Sequence, residues 1–247
     1  MSNCIEVSGL SKTFTLHLVG GTRLNALHET SFALEHGASL VIMGKTGAGK
    51  STLLKLLAGA YRASSGAIVI QPSPESSRVE LASLSDVDLI ALRRRSVGYL
   101  PQHIHVVPRV PAIDVVTATG IEAGLEEAEA RARAEELLDE LEIKRKLFPL
   151  FPSTFSPGER QRLNLACALV RNPSLLLMDE PVSALDPRMM QQVVGMLQRH
   201  RSRTGGGTLV TILHQMAAAE QLADRVMVID DARMKAFGTF SEVLQAT

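Results

Sequence analysis

The sequence contains no tryptophan, and only 4% of its residues are aromatic. So small an aromatic stock argues against a sugar-stacking surface or a platform for single-stranded nucleic acid. Cysteine is almost as scarce: Cys4 and Cys167 stand far apart and match neither a disulfide framework nor metal-ligand spacing. Reduced thiols, as in a cytoplasmic protein, are the expectation. Neither sign of charge is in excess, since 26 Lys and Arg balance 26 Asp and Glu. That excludes binding driven by bulk charge, and no nucleic-acid partner is expected. No apolar run approaches ~18 residues, so the chain is not expected to span a membrane alone, and any membrane role would need a partner. The opening MSNCIEVSGLSK likewise lacks the apolar core of a signal peptide.

A chain of 247 residues can bury one substantial core with a subdomain attached. Short apolar runs alternate with helical stretches, the pattern of a largely parallel sheet with crossover helices. The candidate strands are ASLVIM (38–43), VGYLP (97–101), SLLLM (174–178), TLVTIL (208–213) and RVMVI (225–229). Runs this apolar suit strands covered on both faces. The first 36 residues differ: alternation in CIEVSGL and the Gly20-Gly21 pair predict antiparallel strands and a hairpin. From 103 to 155 the pattern is helical, and LEEAEARARAEELLDELEI (125–143) predicts one helix with Leu137, Leu138 and Leu141 on its apolar side. The expected organisation is one domain: a core of 1–102 and 156–247, interrupted by a helical insert over 103–155. The stretches QPSPESSR (71–78) and Gly205–Gly207 read as surface loops.

GKTGAGKST (44–52) fits G-x-x-x-x-G-K-[ST], the phosphate-binding P-loop, and it leaves a buried strand and enters the helix KSTLLKLLAGA. Gly44, Gly47 and Gly49, with Lys45, Thr46 and Ala48 between them, let consecutive amides turn toward an anion. Lys50 supplies positive charge at the β- and γ-phosphates, Ser51 can ligate Mg²⁺, and Thr52 opens the helix whose dipole favours the anion. Other polar residues fall at matching places. Gln102 follows VGYLP, Asp179 and Glu180 follow SLLLM, and His214 follows TLVTIL. In a parallel sheet those carboxyl ends share the edge where ligands bind. Asp179 is placed to hold Mg²⁺ and Glu180 to act as general base on water. Gln102 is placed to monitor Mg²⁺ or the water, and His214 to hydrogen-bond the γ-phosphate. FSPGER (155–160) is a near-ideal helix start, with Ser156 as N-cap, Pro157 at the first position and Glu159 closing a capping box. SALD (183–186) reads either as a functional loop or as an ordinary helix start capped by Ser183.

Taken together, GKTGAGKST, LPQ, FSPGE, LLLMDE, SALD and His214 resemble, in order, the motifs of the ATP-binding cassette (ABC) ATPases. The resemblance implies a P-loop NTPase (RecA-like) α/β fold with an N-terminal antiparallel β subdomain and an inserted helical one. It implies ATP and Mg²⁺ as ligands, with Ser51, Gln102 and Asp179 at the metal. It implies a second ABC subunit in a head-to-tail ATP sandwich, in which Ser156, Gly158 and Glu159 of one subunit face the other's P-loop, and it counts Asp186 of SALD among the nucleotide-site residues. Phe14 in LSKTF matches the place of an aromatic that stacks on adenine. LSKTFTLHLVGGTRLNAL is similar to the extended hairpin of lipoprotein-release and macrolide-export ATPases. That stretch, with VGYLPQHIHVVPRVPAIDVV and PSTFSPGERQR, looks most like the L-type ATP-binding protein of phosphonate C–P lyase systems. The resemblance therefore implies ATP hydrolysis in the service of phosphonate breakdown, with C–P lyase subunits as partners. The alternative is the motor of a membrane ABC transporter, bound to a permease at the inner face of the membrane. A third reading, an assembly module that binds ATP but scarcely turns it over, is disfavoured by the presence of Glu180. Three departures stand out: Pro157 where glycine is usual, Cys167 where arginine is usual, and Val182 where threonine is usual.

Overall fold

The computed structural model describes residues 2–16, 20–102, 109–203 and 207–246. In chain order its strands are β1 (Asn3–Leu16), β2 (Thr22–Glu35), β3 (Ser39–Met43), β4 (Ser65–Ile70) and β5 (Val79–Glu80). They continue with β6 (Val97–Leu100), β7 (Leu175–Asp179), β8 (Thr208–Ile212), β9 (Arg225–Asp230) and β10 (Arg233–Gly238). The helices are α1 (Lys50–Leu57), α2 (Asp86–Arg95), α3 (Ala112–Glu122), α4 (Glu127–Glu140), α5 (Pro157–Val170), α6 (Pro187–Arg203), α7 (Met216–Leu222) and α8 (Phe240–Ala246).

Among the described residues the strands form two sheets. One is antiparallel, in the order β2-β1-β4-β5; the other runs β10-β9-β3-β8-β7-β6. In the second, β9, β3, β8, β7 and β6 are parallel and β10 is antiparallel at the edge. The apolar runs account for this placement, because a parallel strand meets covering elements on both faces. In β3, Leu40 and Ile42 pack toward α1 and the antiparallel sheet, while Val41 turns to the helical layer. The same alternation divides β7, with Leu175 and Leu177 on one side and Leu176 and Met178 on the other.

The first hairpin is as expected around Gly20 and Gly21, both at positive φ, although His17 to Val19 lie outside the described residues. Gln71 holds the 71–78 loop together, its side-chain amide donating to the carbonyls of Pro74 and Ser76. Residues 103–108, where the predicted insert begins, and Gly205 and Gly206 also lie outside the described residues. The expected helix over 125–143 is shorter, because Leu141 caps it and Glu142 takes the left-handed φ of 52°. Helix α1 also stops earlier than the apolar pattern suggests. Gly59, at φ 63°, closes it with Ala60 N–H donating to Lys55 O and Gly59 N–H to Leu56 O, a Schellman ending.

The sequence pattern did not announce α2 or β10. Helix α2 buries no residue, so it lacks an apolar stripe; its start is marked instead by Ser85, which accepts from Asp88 N–H. Strand β10 is reached through Asp231 and Ala232, both at positive φ (49° and 57°), an unusual pair for a two-residue turn that glycine or asparagine would have advertised.

Helices α3, α4 and α5 pack against one another, with Ala130, Ala134, Leu137 and Leu138 of α4 buried. Replacing Leu138, fully buried, with alanine is expected to cost about 2–5 kcal/mol of stability, read from urea unfolding.

Candidate functional site

The sheet order decides what meets what. Ile42 of β3 is in register with Ile212 of β8 on one side and Met227 of β9 on the other; β7 and β6 follow with Met178 opposite both Thr211 and Leu100. Continuing each strand by one or two residues places Gly44, His214, Asp179 with Glu180, and Gln102 in succession along one edge. The four polar ends expected from sequence are therefore neighbours by register.

Gly44, Gly47 and Gly49 take φ of 138°, 81° and 106°, all on the side of backbone space that favours glycine. Two of them are also required by close approach. A Cβ on Gly44 would lie 1.9 Å from Ile229 O, and one on Gly49 would lie 2.5 Å from Ala26 O. Gly47 faces open space, so only its backbone conformation demands glycine. The loop is tied to the β9–β10 turn by Ala232 N–H donating to Ala48 O at 3.1 Å. Lys50 folds back over the loop, its Nζ donating to Gly44 O at 2.7 Å and to Lys45 O at 2.8 Å. Burial lowers its pKa, and the charges of Glu180 and Asp179 oppose that shift. Gly49 stands at the helix N-cap with no side chain to cap α1, so amides there stay available to an anion.

Asp179 ends β7 and is 1% exposed. Burial raises its carboxyl above the usual carboxylate range, with the Glu180 charge adding; the Ser51 hydroxyl, Lys55 and Lys50 oppose this. Its Oδ1 is buried without a hydrogen-bond partner among the described residues. A bare carboxylate oxygen beside a serine hydroxyl suits a hard cation such as Mg²⁺, which takes one or two protein oxygens and draws the rest from phosphate and water. Among the described residues no cluster of three or more His, Cys, Asp and Glu side chains gathers, so a cage built from protein ligands alone is not offered.

Glu180 adopts a left-handed φ of 53°, and its Oε1 lies 3.0 Å from His214 Nε2. Its carbonyl accepts from Gln161 Nε2 and from Ser183 Oγ, each at 3.1 Å. Gln102 is exposed after β6, where Asn164 of α5 holds the neighbouring Pro101 O at 3.2 Å. Phe14, with Leu24, Asn25, Ala26, Gly47 and Lys50 to Thr52, lines a cleft of about 260 Å³ over the P-loop. Its half-buried ring meets Tyr61 edge-on at 5.3 Å, with Lys12 Nζ 4.8 Å from its centre.

The expected capping box on α5 is formed. Ser156 N–H and Oγ both donate to Glu159 Oε2 at 2.8 Å, and Glu159 N–H donates to Ser156 Oγ at 3.3 Å. The backbone amide of Ser156, then its hydroxyl, hold the Glu159 carboxyl below its usual range. Ser156, Gly158 and Glu159 do not line the P-loop cleft of their own chain. In SALD the helix cap is Asp186, which accepts from Met189 N–H at 3.0 Å, while Ser183 bonds back to Glu180 O, so the alternative reading of a helix start capped by Ser183 does not hold. Cys167 and Cys4 are both pushed up to about 11, chiefly by burial, so neither is a reactive thiolate. Val182 is 1% exposed in the helical-side core, where its methyl groups serve packing.

The sequence profile of the family described as "ABC transporter" matches residues 27–183, more than half of the chain. The chain belongs to the ABC transporter family. Its fold is that of an ABC cassette. Over 95% of the chain it is similar, with TM-score 0.85 and 25% identity, to a dimeric post-hydrolysis ATP-binding cassette bound to ADP and Pi, covering 98% of that structure. A dimeric bacterial ABC transporter cassette gives a TM-score of 0.86. Among curated proteins, methionine import ATP-binding proteins MetN are similar. Those of Bradyrhizobium diazoefficiens and Haemophilus influenzae are 32% and 34% identical, over 97% of this chain. The chain spans 66% of the length of those two relatives. The relatives named here are transporter ATP-binding proteins and not phosphonate lyase subunits, which shifts the weight between the two readings drawn from sequence. ABC cassettes use ATP with Mg²⁺, and the buried, unpartnered oxygen of Asp179 beside Ser51 fits that pairing.

Gly44→Ala puts a methyl group into the Ile229 carbonyl, so it is expected to lower thermal stability and abolish nucleotide binding, measured by melting and by titration with a fluorescent ATP analogue.

Proposed function

We propose that this chain is the ATP-hydrolysing subunit of an ABC transporter, working as a head-to-tail dimer on a membrane permease at the cytoplasmic face. One observation carries the reading: P-loop, Asp179, the Glu180–His214 pair and Gln102 stand on one edge, while the signature turn at Ser156 lies outside that cleft. Each chain thus holds two unlike halves of an ATP site, which a second copy or a related subunit would complete. Residues 1–102 and 156–247 form the nucleotide core in this reading, and 103–155 the helical insert through which a permease acts. Among the described residues no helix is long and apolar enough to cross a membrane, so the channel would belong to the partner.

In this mechanism the amides of Gly44 to Thr52 cradle the phosphates and Lys50 leaves its loop carbonyls to meet the β- and γ-phosphates. Ser51 and Asp179 would hold Mg²⁺, and Gln102 would contribute to the same site; the ion would supply positive charge to offset that on the phosphate oxygens. Glu180 takes a proton from the attacking water, and His214 at 3.0 Å keeps its carboxylate aimed and contacts the γ-phosphate. Phe14 stacks on the base. Ser156 and Gly158 of the opposing subunit close over the γ-phosphate, with Glu159 and Asp186 ordering that turn and the loop beside it.

The methionine import relatives support transport, though nothing in the nucleotide residues selects a cargo. Service to a C–P lyase complex is the second reading, favoured by the hairpin and LPQ segments of the sequence. Purification from the native host separates the two, since a co-purifying permease supports the first and lyase subunits the second.

Glu180→Gln is expected to lower ATP turnover at least about a hundredfold and to trap an ATP-bound dimer on size exclusion. Unchanged turnover would remove the hydrolytic role.

A further inference from the structure

Gln161 is 6% exposed, and its side-chain amide is spent on one acceptor, the carbonyl of Glu180. It sits on α5, two residues beyond the capping box, and reaches 19 residues along the chain to the end of β7. Glu180 needs such a tether. Its φ of 53° is uncommon for a residue with a side chain, and such a conformation persists only when surroundings over-determine it. Three donors reach the Glu180 carbonyl: Gln161 Nε2 from the signature helix, and Ser183 Oγ with, at 3.4 Å, Ser183 N–H from the following loop. With the carbonyl held, the Glu180 side chain extends toward β8, where its Oε1 lies 3.0 Å from His214 Nε2. The first turn of the same helix touches the same loop again: a Cβ on Gly158 would lie 3.1 Å from Ala184 O.

We propose that Gln161 is a positioning residue for hydrolysis: its hydrogen bond to the Glu180 carbonyl holds the base in its left-handed, His214-facing conformation and ties it to the signature helix of the same chain. Because that helix start faces the other subunit's ATP in the proposed dimer, engagement there is felt at the Glu180 of the chain that provides it. The inference rests on the proposed ATPase function, and its test keeps the two apart.

Gln161→Met keeps length and volume and removes the donor, so the core survives. Steady-state ATP hydrolysis, titration with a fluorescent ATP analogue and ATP-dependent dimerisation are measured for wild type, Glu180→Gln and Gln161→Met. The expected result is a kcat about tenfold lower, with KM and nucleotide affinity within about twofold and the ATP-bound dimer retained. An unchanged kcat overturns the positioning role. So does joint loss of turnover, affinity and dimer, which would make Gln161 a fold or signature residue. A wild type that does not hydrolyse ATP, or a Glu180→Gln variant as active as wild type, overturns the function on which the inference stands. If Gln161→Met fails to fold, Ser183→Ala removes the second side-chain donor from a residue at the surface and leaves only the longer Ser183 N–H bond from that loop. It is expected to lower kcat about threefold at constant KM, and no change in kcat would overturn the tether.

Discussion

The contact on which the site depends is the close passage of the P-loop against the turn end of β9. Gly44 can leave β3 only because it has no Cβ where Ile229 presents its carbonyl, and Gly49 clears Ala26 of β2 in the same way. The loop is thereby wedged between an element of each sheet, and the Ala232 N–H bond to Ala48 O closes it from the β10 side. This explains why an antiparallel sheet and a parallel one must meet at this point in one chain. The phosphate cradle is formed by their junction as well as by the strand–loop–helix unit that carries the motif.

That junction also separates what sequence could supply from what it could not. Strands β3, β6, β7, β8 and β9 were legible because their residues are largely apolar, and the polar residues that follow them were legible because they break that pattern. Their assembly on one edge followed from parallel register alone. By contrast, α2 carries no apolar stripe, and the β9–β10 turn at Asp231 and Ala232 uses residues whose type does not announce positive φ. The tethers of Glu180 were invisible for a different reason. Gln161 and Ser183 find its carbonyl through folding across 19 residues and across one turn, and neither residue type is unusual where it stands. Asp186 was legible as part of a motif, yet its capping of α6 is a local role that competes for the same carboxylate.

The residues proposed to bind phosphate and activate water are of the types and spacing that the chemistry of ATP demands, so spacing alone points to that chemistry. Nothing about the cargo or the partner acts on those positions. The extended hairpin, the LPQ segment and PSTFSPGERQR were the grounds for a lyase partner, whereas the named relatives are methionine import ATP-binding proteins. Similarity in surface segments is weak information about a partner because exposed residues there carry little packing constraint.

In the proposed dimer the signature turn would serve stability and ligand at once. Pro157 occupies the first helical position, where a missing N–H costs the helix least. Glu159 meanwhile occupies both donors of Ser156, its amide and its hydroxyl. Its depressed folded pKa means the cap contributes stability above the unfolded carboxyl value, and that contribution fades as pH falls through the folded one. At neutral pH the carboxylate is therefore an ionised occupant of the Ser156 hydroxyl that an arriving γ-phosphate would also seek. Phosphate and carboxylate are both anions, so the hydroxyl serves whichever is nearer, and the turn keeps its geometry before the dimer closes. Proline narrows the backbone freedom of that turn further. A stiff, internally satisfied clasp could exchange one anion for another without refolding, which in the proposed dimer would favour closure on a correctly presented phosphate over a search among loose conformations.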